Sequence, residues 1–270
     1  MKLWGVVMTT RFLPVHPSYI KSLLLLLCLL VINPSCTWLN PYLYFQGSSG
    51  DKTTLPIAVE ELIEFAGYCD EAYQRANDEN KLYEIRDNEF SYHVKQDSGV
   101  TILIFRGTEN GRNVLTDIDI RPRHDKSLDV YFHKGFHDAA TWLLEDIKRD
   151  YELEKTVYLT GHSLGGAIAQ IMGYWLDQEG YNVQIYSFGS PKVSTTFFGN
   201  EPPHYRVVLD NDPIPYMPPF PFLQSGIAIN ASTLDWEEGG ERNRKPFTEI
   251  DGRDHSIREY LNVLKRHGNF

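Results

Sequence analysis

Gly161-His162-Ser163-Leu164-Gly165-Gly166 stands between a short β-branched and apolar stretch ending at Thr160 and a helically periodic stretch beginning at Leu164. A serine on a sharp strand-to-helix turn has its hydroxyl pushed clear of a sheet, and glycines two positions to either side let the neighbouring backbones close up. Such a serine can attack a carbonyl if a base removes its proton and a carboxylate fixes the tautomer of that base. The negative charge that develops on the substrate oxygen would meet the Leu164 N–H and the positive end of the helix that Leu164 opens.

The base and its carboxylate are sought downstream, in the order serine, acid, histidine. His255 precedes the last helical stretch in Asp251-Gly252-Arg253-Asp254-His255-Ser256, a loop position from which an imidazole reaches over strand ends. His267 sits at a helix C-terminus, where a surface histidine beside carbonyls is the ordinary reading, so His255 is preferred on reach. Among Asp210, Asp212, Asp235, Asp251 and Asp254, Asp212 leads because it opens a loop with Pro213, Pro215, Pro218, Pro219 and Pro221, whose fixed φ angles would hold a carboxylate in one orientation. Asp210 is the close rival, with turn formation as its ordinary role.

The surrounding pattern supplies elements to position these groups. Leu62, Ile63, Phe65, Ala66 and Tyr73 predict an amphipathic helix over Leu55 to Arg75. Tyr83 to Arg86 and Phe90 to Val94 read as an antiparallel edge, and Val100 to Phe105 as a fully buried strand. A helix follows over Gly135 to Tyr151, then a strand over Thr156 to Thr160. The next helix, from Leu164 to Leu176, is read as having one apolar face. Strands at Val183 to Phe188 and Tyr205 to Leu209 precede a last helix from Ser256, closed by Lys265-Arg266-His267-Gly268. This alternation implies an α/β fold, with a mostly parallel central sheet and helices on both faces.

The chain has 270 residues, 42% of them hydrophobic, enough for one large domain, expected over 51–270. A net charge of −10 argues against nucleic acid as a partner and says little about a neutral ester. Residues 1–50 read as a separate leader. Lys2, Arg11 and Lys21 precede the apolar run Leu23 to Ile32, which is shorter than the roughly 20 residues a spanning helix needs. A signal peptide and export are therefore expected, with an uncleaved membrane anchor as the alternative. Near 43–50, Leu43-Tyr44-Phe45-Gln46-Gly47 resembles a viral-protease cleavage sequence of the kind introduced by cloning, with Pro41 where that sequence carries an acidic residue.

Cys28 and Cys36 fall in the leader, which leaves Cys69 as a packing residue and no disulfide framework. His133 and His137 have a zinc-helix spacing, but Lys134 replaces the required glutamate and Gly135 should break the turn, so no metal is expected. No cofactor is expected either.

Four blocks together resemble the class 3 lipases, the fungal triacylglycerol lipases and their relatives: Phe105-Arg106-Gly107-Thr108, His133-Lys134-Gly135-Phe136, the Gly161 to Gly166 turn, and Asn211-Asp212-Pro213-Ile214-Pro215. The resemblance runs from about residue 60 to 265 and implies an α/β-hydrolase fold. It also implies Ser163, Asp212 and His255 as a catalytic triad, with Thr108 joining Leu164 as oxyanion donor. A lid is implied at Arg112 to Ile118, where Val114 replaces the tryptophan of the fungal lid and the flanking charges make the segment polar. The substrate implied is a lipid ester met at a lipid–water interface. Alternatives are a soluble, feruloyl-esterase-like enzyme, a phospholipase A1, and a catalytically silent binding member of the fold. Tyr216, Met217, Phe220, Phe222 and Leu223 either line an acyl groove or simply pack. Oligomeric state is not legible in the sequence.

Overall fold

The computed structural model describes residues 54–74, 83–85, 88–107, 119–196, 201–238 and 255–268, all within the unit Gly47–Phe270. Helix α1 (Val59–Gln74) opens it with Glu60 and Glu61 in its first turn, where the helix dipole favours negative charge. Strands β1 (Tyr83–Ile85) and β2 (Asn88–Asp97) pair antiparallel, as the sequence suggests, and β3 (Val100–Arg106) pairs antiparallel with β2. β3 is not buried throughout, because Val100 and Ile102 are only partly covered at its outer end.

From β3 the chain passes through a hairpin that the sequence reading missed, β4 (Pro122–Asp125) with β5 (Val130–His133). It continues into α2 (Lys134–Asp150), β6 (Thr156–His162), α3 (Leu164–Gln178), β7 (Asn182–Phe188) and β8 (His204–Val208). The expected break at Gly135 does not occur. The glycine lies in the first turn of α2, where its N–H needs no intrahelical acceptor and bonds the Asp119 carbonyl instead. Two further strands went unread, β9 (Ile227–Asn230) and β10 (Trp236–Glu238), and α4 (Ile257–Lys265) closes the described chain.

The main sheet has eight strands in the order β1-β2-β3-β6-β7-β8-β9-β10. β3, β6, β7, β8 and β9 run parallel, with antiparallel pairs at both margins. Alternate residues of one strand feed two cores. Val183 and Ile185 of β7 join α2 and α3 on one face, while Tyr186 and Phe188 join α1 and α4 on the other. α3 departs from the single apolar face read in the sequence, since nearly every residue from Leu164 to Leu176 is buried. It packs on β6 and β7 and is covered in turn by α2. Close approach to β7 requires Gly173, where an added Cβ would stand 2.5 Å from Ile185 Cδ1.

Candidate active site

The expected reactive residues lie at the C-terminal ends of the parallel strands, where loops converge in open α/β sheets. Ser163 sits between β6 and α3 with φ 57° and ψ −126°, a conformation that a non-glycine residue holds only when its surroundings impose it. The surroundings do. Ser163 N–H donates to the Phe188 carbonyl at 2.9 Å. A Cβ on Gly161 would lie 2.2 Å from the Gly165 carbonyl carbon, and one on Gly165 would lie 2.1 Å from the Phe105 carbonyl oxygen. Backbone contacts this close admit no side chain at either position.

His255 and Asp212 complete a continuous chain of hydrogen bonds. His255 Nε2 is 2.8 Å from Ser163 Oγ, and His255 Nδ1 is 2.8 Å from Asp212 Oδ2. With Nδ1 donating to the carboxylate, Nε2 is left to accept the serine proton. Asp212 is fully buried and its two oxygens are separately held. Oδ1 accepts the Ile214 N–H at 2.9 Å, while Oδ2 also accepts the Tyr260 hydroxyl at 2.6 Å. The orientation thus comes from a backbone amide and a tyrosine, in addition to the proline-rich loop that the sequence pointed to.

Tyr260 is a site residue that sequence reading took only for a core position of α4. Its hydroxyl accepts the Leu209 N–H at 3.3 Å while donating to Asp212. Burial, then the neighbouring Asp212 charge, push its ionisation well above the ordinary tyrosine value, so it stays a donor. Gly189, at φ 58°, gives the triad room. A Cβ there would come within 2.8 Å of Asp212 Oδ2 and 3.2 Å of His255 Cε1. Neither residue belongs to a motif; the sequence signal for Tyr260 was only its place one turn beyond His255.

The rivals are placed elsewhere. Asp210 is exposed and accepts from Asn230 Nδ2 at 2.7 Å, and His267 is exposed beyond the end of α4. His137 Nε2 donates to the buried Asp125 carboxylate at 3.1 Å, while the His133 ring stacks on Phe136. Among the described residues no group of histidine, cysteine, aspartate and glutamate is arranged to hold a metal ion. Cys69 is buried against Thr160 Oγ1 at 3.2 Å, and burial pushes its thiol up to about 12.

Leu164, the first residue of α3, presents its N–H beside Ser163, and Gly107 passes close by. A Cβ on Gly107 would be 3.2 Å from Leu164 N. Thr108 and the expected lid at Arg112 to Ile118 lie outside the described residues. The proline loop divides the roles expected of it. Phe222 is buried against His133, whereas Met217 and Phe220 are exposed.

A parallel sheet flanked by helices on both faces, with a strained serine turn between strand and helix, defines an α/β-hydrolase fold. Residues 102–222 match the model of the class 3 lipases. A secreted mono- and diacylglycerol lipase of Fusarium solani is 32% identical over 151 residues, 52% of this chain and 44% of that protein. A lipase of Rhizopus niveus is 29% identical over 196 residues, 64% of this chain and 48% of that protein. The chain thus spans less than half the length of these curated relatives. In fold it is similar to the solved structure of lipase II from Rhizopus niveus, with a TM-score of 0.55 and 24% identity over 73% of this chain and 92% of that one.

Proposed function

We propose that this protein is a serine carboxylic-ester hydrolase, a triacylglycerol lipase working through an acyl-enzyme on Ser163. The observation that carries this reading is the unbroken series Ser163 Oγ, His255 Nε2, His255 Nδ1, Asp212 Oδ2, with both contacts at 2.8 Å. Ser163 Oγ attacks the ester carbonyl as its proton passes to His255 Nε2, and Asp212 stabilises the resulting imidazolium. The oxyanion is met by the Leu164 N–H and, from the family resemblance, by Thr108. Collapse of the tetrahedral species expels the alcohol, which takes the proton from Nε2. Water, deprotonated by the same nitrogen, then releases the acid and restores the serine.

A lipid substrate is favoured by the match of residues 102–222 to the class 3 lipases and by the exposure of Met217 and Phe220 in the loop that follows Asp212. Apolar side chains left in water suit a lipid–water interface. For residues 1–50 the proposal is an export leader ahead of the catalytic domain over 51–270, in keeping with a relative named as secreted.

Hydrolysis of p-nitrophenyl esters from acetate to palmitate, and of emulsified triacylglycerol, by the full chain and its Ser163→Ala variant tests the reading. Activity peaking at long chains and lost in the variant is expected. A short-chain peak would point to an esterase, and no turnover of any ester by the parent would overturn the hydrolase assignment.

A further inference from the structure

The flat side of the His255 ring is walled by a second imidazole. His162, the residue between Gly161 and Ser163, lies with its ring centroid 4.7 Å from that of His255 at an interplanar angle of 35°. Its Nδ1 is 3.1 Å from the Tyr73 hydroxyl, and the Tyr73 ring meets it edge-on at 5.7 Å. Behind Tyr73 stands the buried Arg106 guanidinium, 5.4 Å from the tyrosine ring centroid. Tyr260, which fixes Asp212, touches His162 from another side with centroids 6.0 Å apart.

We infer that Tyr73 and His162 form a positioning pair that holds the His255 imidazole in line with Ser163 and Asp212; this rests on the triad reading above. The bonds at Nδ1 and Nε2 fix rotation of the His255 ring in its own plane but give little resistance to displacement across that plane. Gly189 meets the ring at its Cε1 edge; the wall across its face is His162. A base must be held to within about 0.5 Å of its productive position, so such a wall has kinetic consequences. Because His162 adjoins Ser163 on the same strained turn, it ties the base to the position of the nucleophile itself.

The Tyr73 hydroxyl and His162 Nδ1 are hydrogen-bond partners, and His162 Nε2 is buried without a partner in hydrogen-bond geometry. Burial, and after it the proximity of His255, hold His162 well below the ordinary histidine value, so the wall adds no charge beside the imidazolium. His162 touches the base and Tyr73 holds His162, which makes them positioning rather than catalytic residues.

A double-mutant cycle with an ester substrate tests this. Tyr73→Phe, which removes one hydroxyl, is expected to lower kcat about fivefold to tenfold with KM within twofold and the fold retained by circular dichroism. The same substitution in a His255→Ala background is expected to have no effect on the residual rate. It should also add nothing to His162→Gln, which removes the ring nitrogen paired with the Tyr73 hydroxyl. An equal loss in the parent and His255→Ala backgrounds, or no loss in the parent, would overturn the positioning role while leaving the triad in place. If His255→Ala itself hydrolyses esters as fast as the parent, the triad reading fails and the inference falls with it.

Discussion

His133, His162 and His204 are buried where water cannot support their charge, and their joint effect on stability can be worked out. Burial lowers His133 to about 4, against an opposing pull from Asp119, and lowers His204 to about 3 with Arg206 assisting. His162 is lowered well below its ordinary value by burial and by His255. All three have native ionisations depressed below an unfolded value of about 6.5. On acidification the unfolded chain therefore binds protons first, and stability is lost as the pH falls from about 6.5 toward 4. Each histidine contributes a limiting slope of about 1.4 kcal/mol per pH unit. Between pH 7.5 and 5.5 the three together lower the free energy of unfolding by about 4 kcal/mol, a large share of the roughly 5–15 kcal/mol of a typical domain. Glu201, whose carboxyl is raised by burial, acts with the opposite sign, because there the native state binds its proton before the unfolded chain does. Urea unfolding followed by tryptophan fluorescence at half-unit pH steps measures the slope directly. His204→Gln, which can still pair with Ser187 Oγ, should remove about one third of it. A free energy that stays flat from pH 7.5 to 5.5, or a slope unchanged in His204→Gln, would refute the reasoning.

Three other perturbations have defined outcomes. Tyr260→Phe removes a buried donor from Asp212 and leaves the Leu209 N–H without that acceptor. It should cost about 1.5–3 kcal/mol in chemical unfolding and lower kcat in ester hydrolysis. Asp125 is pushed up by burial, yet bonds from Ser127, Leu128, Trp175 and His137 outweigh this and hold it below the usual carboxylate value. Asp125→Asn should therefore destabilise by about 2 kcal/mol at pH 7, with the gap to the parent closing as the pH falls below about 4, when unfolding is compared at the two pH values. Gly165→Ala should fail to accumulate as folded protein, because its Cβ would stand 2.1 Å from the Phe105 carbonyl oxygen; circular dichroism and expression yield report this, and a native-like, active variant would contradict the packing described for the turn.

What was legible in the sequence was what local pattern dictates. Buried parallel strands such as β6 and β7 declare themselves as apolar β-branched runs, and Ser163 declares itself because two glycines and a strand-to-helix junction are steric necessities of its turn. Asp212 and His255 emerged from chemical need combined with chain order. The short strands β4, β9 and β10 did not, since stretches such as Pro122–Asp125 and Trp236–Glu238 carry no alternation and owe their form to neighbours. The break expected at Gly135 failed because a first turn, whose N–H groups need no intrahelical acceptor, tolerates glycine where a helix interior would not. Tyr260, Gly189 and Tyr73 act only through contacts between residues far apart in the chain, such as the bond from Tyr260 to Asp212 across 48 positions.

The central claim is a covalent one, so the most direct measurement is mass spectrometry of the enzyme quenched within milliseconds of mixing with a p-nitrophenyl ester. The account predicts one acyl group per chain, mapped to the peptide containing Ser163, formed together with a stoichiometric release of p-nitrophenol and absent from Ser163→Ala. Ester turnover with Ser163 unmodified, or an acyl group carried by another residue, would contradict it.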